Sequence, residues 1–394
     1  MSNVRVAGVG MIPFTKPGQS EDWDVMAEKA IRLALTDAGI TYDQVQEAYA
    51  GFMYADSTAG QSALYRIGST GIPVINVNNN CSTGSTALYL ARKMIELGGA
   101  DCVLAFGFEQ MMPGALGSAF PDREGTMERG GAKFLEMCDY DPSQPPVAQM
   151  YGGAAREYQK LYGASDEVFG MISVKARRHA ANNPLAVFRD PLTLEEVMSS
   201  PQLSGPVTRY QACPPTCGAA ATVLVSAKFA AKHGLDASVE ILGQSLTTDF
   251  QTTWDKNSMI SVIGSDMVKA GADMVYEATG VSPDDVDVVE LHDCFTPNEL
   301  VTYEALGLTD VGTAERYIRD EQNTYGGKHV VNPSGGLLSK GHPIGATGLA
   351  QCYELTHQLR GTADKRQVEG ARLALQHNMG MGGACVITLY GISA

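Results

Sequence analysis

The chain carries one structural template twice, and that repeat limits its fold more than any other feature. Ala38-Gly-Ile-Thr-Tyr-Asp-Gln-Val45 aligns without a gap on Thr279-Gly-Val-Ser-Pro-Asp-Asp-Val286. Each copy follows an amphipathic segment. Met26, Ala27, Ala30, Ile31, Ala34 and Leu35 precede the first, and Met267, Ala270, Met274 and Val275 the second. That spacing puts the apolar groups on one helix face. Glycine then stands where each helix would end, since it takes up a left-handed cap without steric cost. Strands are expected next, over 46–52 and 287–291. The alignment also sets Gly51-Phe52-Met53-Tyr54 opposite His292-Asp293-Cys294-Phe295, so one copy holds reactive side chains where the other does not.

The repeat continues with different spacing. Thr83-Gly84 opens a helix leading to a strand over 102–106, and Thr347-Gly348 opens one leading to a strand over 373–376. Two similar α/β halves with helix-covered sheets follow from this. Residues 112–206 lose the rhythm and are punctuated by Gly-Gly, Pro-Pro and Asn-Asn-Pro, which reads as an inserted loop domain. A strand over 218–226 returns to the first half. The expected division is 1–111 with 207–240, then 112–206, then 241–394.

Composition removes several functions. Among 394 residues, 29 Lys+Arg against 44 Asp+Glu give a net charge of −15, which opposes nucleic acid or an anionic membrane as partner. Eight cysteines are too sparse for a disulfide scaffold. Cys213 and Cys217 lack two further nearby ligands for zinc, so no metal is expected. No apolar run is long enough to span a membrane. The first residues read as a strand and turn rather than a leader, and Gly-Ile-Ser-Ala at the end matches no targeting address, so a cytoplasmic setting is expected.

Four segments can carry chemistry. Asn78-Asn-Asn-Cys81 ends in a thiol just ahead of a small-residue helix, where the helix dipole and free N–H groups favour a thiolate and can hold an oxyanion. A buried structural thiol is the competing explanation there. His292-Asp293-Cys294-Phe295 closes an apolar strand, at the kind of strand end where α/β folds bind ligands. His292 could donate to an oxyanion and Cys294 could move a proton; a metal held by both and a remote histidine is the alternative. His342 lies in Gly341-His-Pro-Ile-Gly-Ala-Thr-Gly348, an irregular loop that could present a base to Cys81. His377-Asn-Met-Gly-Met-Gly-Gly383 offers glycine N–H groups, or is simply a hairpin turn.

In this order, together with Ile75–Cys81 and Asn298–Gly307, these motifs resemble the thiolase superfamily, nearest its sterol-carrier-protein-x type. The resemblance covers nearly the whole chain. It implies two thiolase halves in a five-layered αβαβα arrangement, an inserted loop domain and a homodimer. It makes Cys81 the acyl-accepting nucleophile and His342 its activator. Many thiolases use a C-terminal Cys-x-Gly cysteine as acid/base. Here His377-Asn-Met occupies that region; the sterol-carrier-protein-x pattern instead places a cysteine in the His-Asp-Cys-Phe motif, so the resemblance gives Cys294 the role. His292 stands where other thiolases place an oxyanion-holding Asn. The Cys81 N–H and a loop N–H near Gly380 would form a second oxyanion hole. Relatives of this type may carry a fused lipid-carrier domain, and this chain ends without one. Thr216-Cys217-Gly218 departs from the Ser-Asp-Gly of related chains.

The activity implied is CoA-dependent cleavage of a 3-oxoacyl-CoA, or the reverse condensation, through an acyl-cysteine. The expected substrates are branched or sterol-derived chains, with coenzyme A as substrate and no permanently bound cofactor. Lys175, Arg177 and Arg178 are the best candidate for a basic patch that meets CoA phosphates, with a solvated helix face as the alternative. Two alternatives belong to other classes: a thiolase-like retro-aldol lyase acting on steroid side-chain CoA esters, and a non-catalytic acyl-CoA or lipid binder.

Overall fold

The structure is a computed structural model describing residues 4–112, 122–123, 134, 136–137, 141 and 143–393. In the first half, strands β1 (Val4–Met11), β2 (Glu47–Gly51), β3 (Val74–Val77) and β4 (Cys102–Glu109) precede the short ribbon of β5 (Gln202–Ser204) and β6 (Val207–Thr208), and then β7 (Gly218–Ser226). The second half holds β8 (Val239–Thr247), β9 (Val288–Glu290), β10 (Val330–Val331), β11 (Leu373–Gly380) and β12 (Ala384–Ile392). β8 runs across the 240/241 division expected between the halves.

The duplication is complete at the level of topology. Within one sheet the order is β10-β9-β11-β12-β8-β1-β7-β4-β2-β3. Read outward from its centre, β1-β7-β4-β2-β3 matches β8-β12-β11-β9-β10. Both sets pair their outer three strands in parallel and their inner three antiparallel. Two sheets were the expectation, and these two five-stranded sets are joined edge to edge. The seam is short: Arg5 with Glu240 and Val6 with Val239, with an Arg5–Glu240 ion pair at 2.6 Å.

Alternation along the strands builds three cores. Cys102, Leu104 and Phe106 of β4 face the Trp23–Ala38 helix, in one apolar cluster with Met26, Ile31 and Leu35. Val103 and Ala105 face the opposite way, into a second cluster with Leu88 and Ala91 of the Thr83–Glu96 helix and Leu349 and Leu355 of the Thr347–Arg360 helix. A third lies between the second half's strands and the Ser265–Thr279 helix. The layers therefore run helix, sheet, helix pair, sheet, helix. The two central helices cross closely: a Cβ on Gly84 would lie 2.8 Å from the Gly345 carbonyl oxygen, so the crossing requires glycine. On β1, a bulge between Val6 and Gly8 shifts the inward positions from Val4 and Val6 to Val9 and Met11.

The inserted segment joins the other half. Helices Pro146–Tyr162 and Asp166–Ala180 send Tyr151, Tyr158, Phe169 and Ile172 into the core that holds Leu300 and Tyr303 of the second half. Among the described residues no helix is long and apolar enough to cross a membrane.

Candidate active site

Cys81 sits four residues after β3, on a turn that the chain must tighten to start a helix. Asn80 takes a left-handed φ of 52°. The Ser82 hydroxyl donates to the Asn79 carbonyl at 2.9 Å, and the Asn79 N–H donates to Thr83 Oγ1 at 2.8 Å. The thiol then lies at the mouth of the Thr83–Glu96 helix, 8% exposed. Helix position favours the thiolate, yet burial outweighs it and pushes the thiol up to about 12. The N–H groups of Met381 and of Cys81 itself pull it partly back, and nearby Glu109 opposes them. The resting group is a thiol that needs a base.

Two histidines stand beside it. One ligand-type atom from each of Cys81, His292 and His342 lies within 4.8 Å of the others. The His292 and His342 rings stand edge to face, with centroids 5.1 Å apart. Thr347 fixes the proton of His342. Its hydroxyl donates to the Pro343 carbonyl at 2.9 Å, so at its 2.7 Å contact with His342 Nδ1 it accepts. His342 therefore carries its proton on Nδ1 and a lone pair on Nε2, a buried atom without a partner in the described structure. Burial holds its pKa down to about 3, helped by Lys340. Thr216 Oγ1 accepts from the His342 N–H at 2.5 Å, which gives the departing Thr216-Cys217-Gly218 segment its purpose.

Cys294 ends the segment after β9. It is 7% exposed, and burial raises its thiol pKa, against hydrogen bonds from the Tyr151 hydroxyl and the Phe295 N–H. Its carbonyl accepts from the Cys213 N–H at 2.8 Å. The Tyr151 ring stacks on Phe295 at 4.6 Å, so the inserted segment supplies one wall beside Cys294. Next to it, Asp293 accepts from Leu337 N–H at 2.7 Å and Leu338 N–H at 3.3 Å, pinning the loop ahead of His342. Burial lifts the Asp293 carboxyl to about 8, with Glu299 adding to the effect.

Two expected residues lie one step from where the chemistry is. Gly380 packs against the turn that carries Cys81. It passes so close that a Cβ would meet the Asn79 carbonyl oxygen at 2.1 Å, and the N–H that reaches the sulfur belongs to Met381. His377 Nδ1 accepts from the His292 backbone N–H at 3.3 Å, behind the group formed by Cys81, His292 and His342. Burial keeps its pKa near 3.

The basic run does not form a patch. On the Asp166–Ala180 helix, Val168, Ile172, Lys175, Ala176 and His179 share the buried face. The Lys175 ammonium there pairs with Glu299 and donates to Tyr303. Arg177 lies over Phe188, 4.5 Å from its centroid, while Arg178 pairs with Glu321 at 3.2 Å. Lys175 is thus unavailable to coenzyme A. The helical period divides the run, and one ammonium was drawn inward to meet a buried carboxylate. Tyr151, Thr347 in its contact with His342, Met381 and Glu109 were not singled out from sequence, since only tertiary packing brings them here. Glu109 accepts from the N–H groups of Met53, Tyr54 and Gly345, and burial raises its carboxyl to about 7.

A buried thiol, a neutral histidine and a second thiol, gathered at strand ends of a duplicated α/β fold, are chemically equipped for acyl transfer of the thiolase class. Sequence comparison agrees. The thiolase N-terminal domain model matches residues 4–197 and the thiolase C-terminal domain-like model matches residues 250–389. Sterol carrier protein 2 of Oryctolagus cuniculus is 51% identical over 397 residues, covering 99% of this chain and 72% of the relative. The benzoylsuccinyl-CoA thiolase subunit BbsB of Thauera aromatica is 36% identical, covering 96% of this chain and 95% of that one. In fold, the solved Ltp2-ChsH2(DUF35) aldolase superposes with a TM-score of 0.83 at 24% identity, covering 99% of this chain and 98% of that chain. The chain belongs to the thiolase family, has the thiolase fold, and is an acyltransferase of thiolase type.

Proposed function

We propose that the protein cleaves a 3-oxoacyl-CoA with coenzyme A, or runs the reverse condensation, through an acyl group on Cys81. The observation that carries this reading is the meeting of Cys81, His292 and His342 within 4.8 Å, with a free lone pair on His342 Nε2. His342 Nε2 takes the Cys81 proton and the thiolate attacks the 3-keto carbon. His292 and the newly charged His342 hold the oxyanion. The bond between C2 and C3 breaks, Cys81 keeps the acyl group, and the Cys294 thiol protonates the departing enolate at C2. The Cys294 thiolate then deprotonates a CoA thiol, whose sulfur attacks the acyl-cysteine. The acyl-CoA formed by protonating the enolate has by then left. The N–H groups of Met381 and Cys81 hold the second oxyanion. Its collapse breaks the bond to the Cys81 sulfur, Cys81 recovers its proton from His342 Nε2, and the second acyl-CoA leaves.

A retro-aldol lyase would need a base but no acyl-accepting cysteine, and the aldolase superposition carries fold alone. Branched or sterol-derived acyl chains are the substrate class we favour, supported by likeness to proteins named sterol carrier protein 2. A homodimer fits edge strand β3, where Ile75 and Asn76 are exposed and open to pairing with a second copy. The described cysteines are all free, which suits a reducing compartment such as the cytoplasm.

The experiment is CoA-dependent loss of a 3-oxoacyl-CoA, run beside intact-mass detection of the acyl-enzyme. Cys81→Ala should lose acylation and at least about 10⁴-fold in turnover, the scale of removing a nucleophile. Normal acylation of that variant would refute the assignment, and binding without turnover by the parent protein would leave a carrier.

A further inference from the structure

We infer that Asn378 is a positioning residue. Through Ser85 and Gln376 it holds His292 with its proton on Nε2, so that the imidazole offers a hydrogen-bond donor to the space beside Cys81. The inference rests on the proposed acyl transfer for its purpose, but its geometry stands by itself.

The chain of hydrogen bonds begins at a group that can only accept. Gln376 Nε2 donates to the Gly348 carbonyl at 2.7 Å, while Gln376 Oε1 accepts from the Tyr390 hydroxyl at 2.5 Å. The carbonyl fixes which way the Gln376 amide faces. Of the two acceptors left for its other proton, Ser85 Oγ at 2.8 Å is nearer than Gln351 Oε1 at 3.3 Å. The Ser85 hydroxyl in turn donates to Asn378 Oδ1 at 2.9 Å. This turns the Asn378 amide nitrogen toward His292 Nδ1, 3.1 Å away. An amide nitrogen only donates, so Nδ1 must accept, and a neutral His292 carries its proton on Nε2. Neutrality follows from burial, which with His342 and His377 close by holds the His292 pKa well below its usual value.

Local structure explains why these groups can meet. Alternation along β11 sends Gln376 and Asn378 to the same face, toward the central helices, while His377 between them turns the other way to the His292 backbone. Ser85, Gln376, Asn378 and Tyr390 are all fully buried, so each polar atom depends on its neighbour. Gly348 leaves the room: a Cβ there would lie 2.1 Å from Ser85 Oγ and 2.7 Å from Asn378 Oδ1.

The consequence is a choice of charge. With Asn378 reversed, its Oδ1 would demand a proton on His292 Nδ1 and leave a lone pair on Nε2. Cys81, His292 and His342 would then present three donor atoms suited to a soft metal ion. As built, His292 offers a proton, and the site receives a negatively charged oxygen.

The test is nitrogen NMR of the full chain labelled with ¹⁵N-histidine, with His292 assigned by its missing signals in a His292→Gln sample. The parent protein should show His292 protonated at Nε2 and bare at Nδ1. A proton on Nδ1 would overturn the inference whether or not the enzyme turns over 3-oxoacyl-CoA. Absence of turnover in the parent would instead strike the proposed reaction alone. Ser85→Ala releases the Asn378 amide without touching substrate. It should mix the two His292 tautomers and lower kcat about 10-fold, less than the 10²–10³-fold for deleting an oxyanion donor outright, with KM for CoA within about twofold. Parent-like His292 signals and kcat in folded Ser85→Ala would also overturn it. Should that variant fail to fold, the parent spectrum decides.

Discussion

The two halves share a strand order and differ in what stands at the strand ends. At the end of β2 the chain reads Gly51-Phe52-Met53, and at the matching place beyond β9 it reads His292-Asp293-Cys294. Between third strand and central helix, the first half places Cys81 and the second places His342. The end of β4 gives Glu109, which holds loops through three backbone N–H groups. The end of β11 gives Asn378 and the loop carrying Met381. In the proposed reaction the first half thus contributes the nucleophile and its own N–H on a stiff frame, and the second contributes base, acid and the remaining oxyanion donors. A duplicated fold makes this division possible, because its crossing central helices bring two equivalent sets of strand ends together and only one set must keep a plain structural role.

The widest consequence of the comparison is that removing the second half's acid/base should leave the first half's nucleophile working. Cys294→Ser retains the size of the side chain, but its hydroxyl is a far poorer acid and base near neutrality. The variant should still take an acyl group onto Cys81 from a simple acyl-CoA, seen by intact mass, while thiolysis of 3-oxoacyl-CoA falls by about 10²-fold or more. Near-normal thiolysis would show that Cys294 is not the acid/base.

A smaller break separates the base from its orientation. Thr347→Val keeps shape and removes the hydroxyl that accepts from His342 Nδ1–H at 2.7 Å. The imidazole is then free to carry its proton on Nε2, where it blocks transfer from Cys81. Losing one well-placed hydrogen bond is worth about 1–1.5 kcal/mol, so Cys81 acylation should slow about 10-fold with KM for CoA nearly constant. An unchanged single-turnover acylation rate would show that Thr347 does not set the tautomer.

Much of this was readable from sequence, for physical reasons that also mark where reading stops. The repeat at 38–45 and 279–286 is visible because helix caps and turns demand particular residues at fixed offsets. Cys81, His292, Cys294 and His342 are legible as a set, because four motifs stand in the order of the family they resemble, while each motif alone admits a structural explanation. Which strand ends face one another is not local information. Lys175 looked like a surface cation because the run around it is basic, and only Glu299, 124 positions later in the chain, explains its burial. Gly380 marks the loop because a close approach selects glycine there, while the N–H that reaches Cys81 belongs to its neighbour Met381. The edge-to-edge join of the two sheets depends on two residue pairs, too few to leave a pattern.

Tyr151 tests whether the inserted segment belongs functionally to the second half, as its packing suggests. Its ring stacks on Phe295, and its hydroxyl donates to Cys294, lowering a thiol pKa that burial has raised. The sign follows directly. Removing the donor leaves the Cys294 thiolate less stabilised, so the thiol pKa rises and less thiolate is present to deprotonate CoA at a given pH. Tyr151→Phe keeps the stacked ring and deletes only that contact. One hydrogen bond of about 1 kcal/mol corresponds to about a fivefold effect, so the CoA-dependent step should slow about fivefold. The limb of the pH–rate profile governed by Cys294 should move to higher pH, while acylation of Cys81 by a simple acyl-CoA stays at the parent rate. A purely structural Tyr151 would lower the melting temperature and leave that limb where it was, and such a result would return the inserted segment to the status of packing.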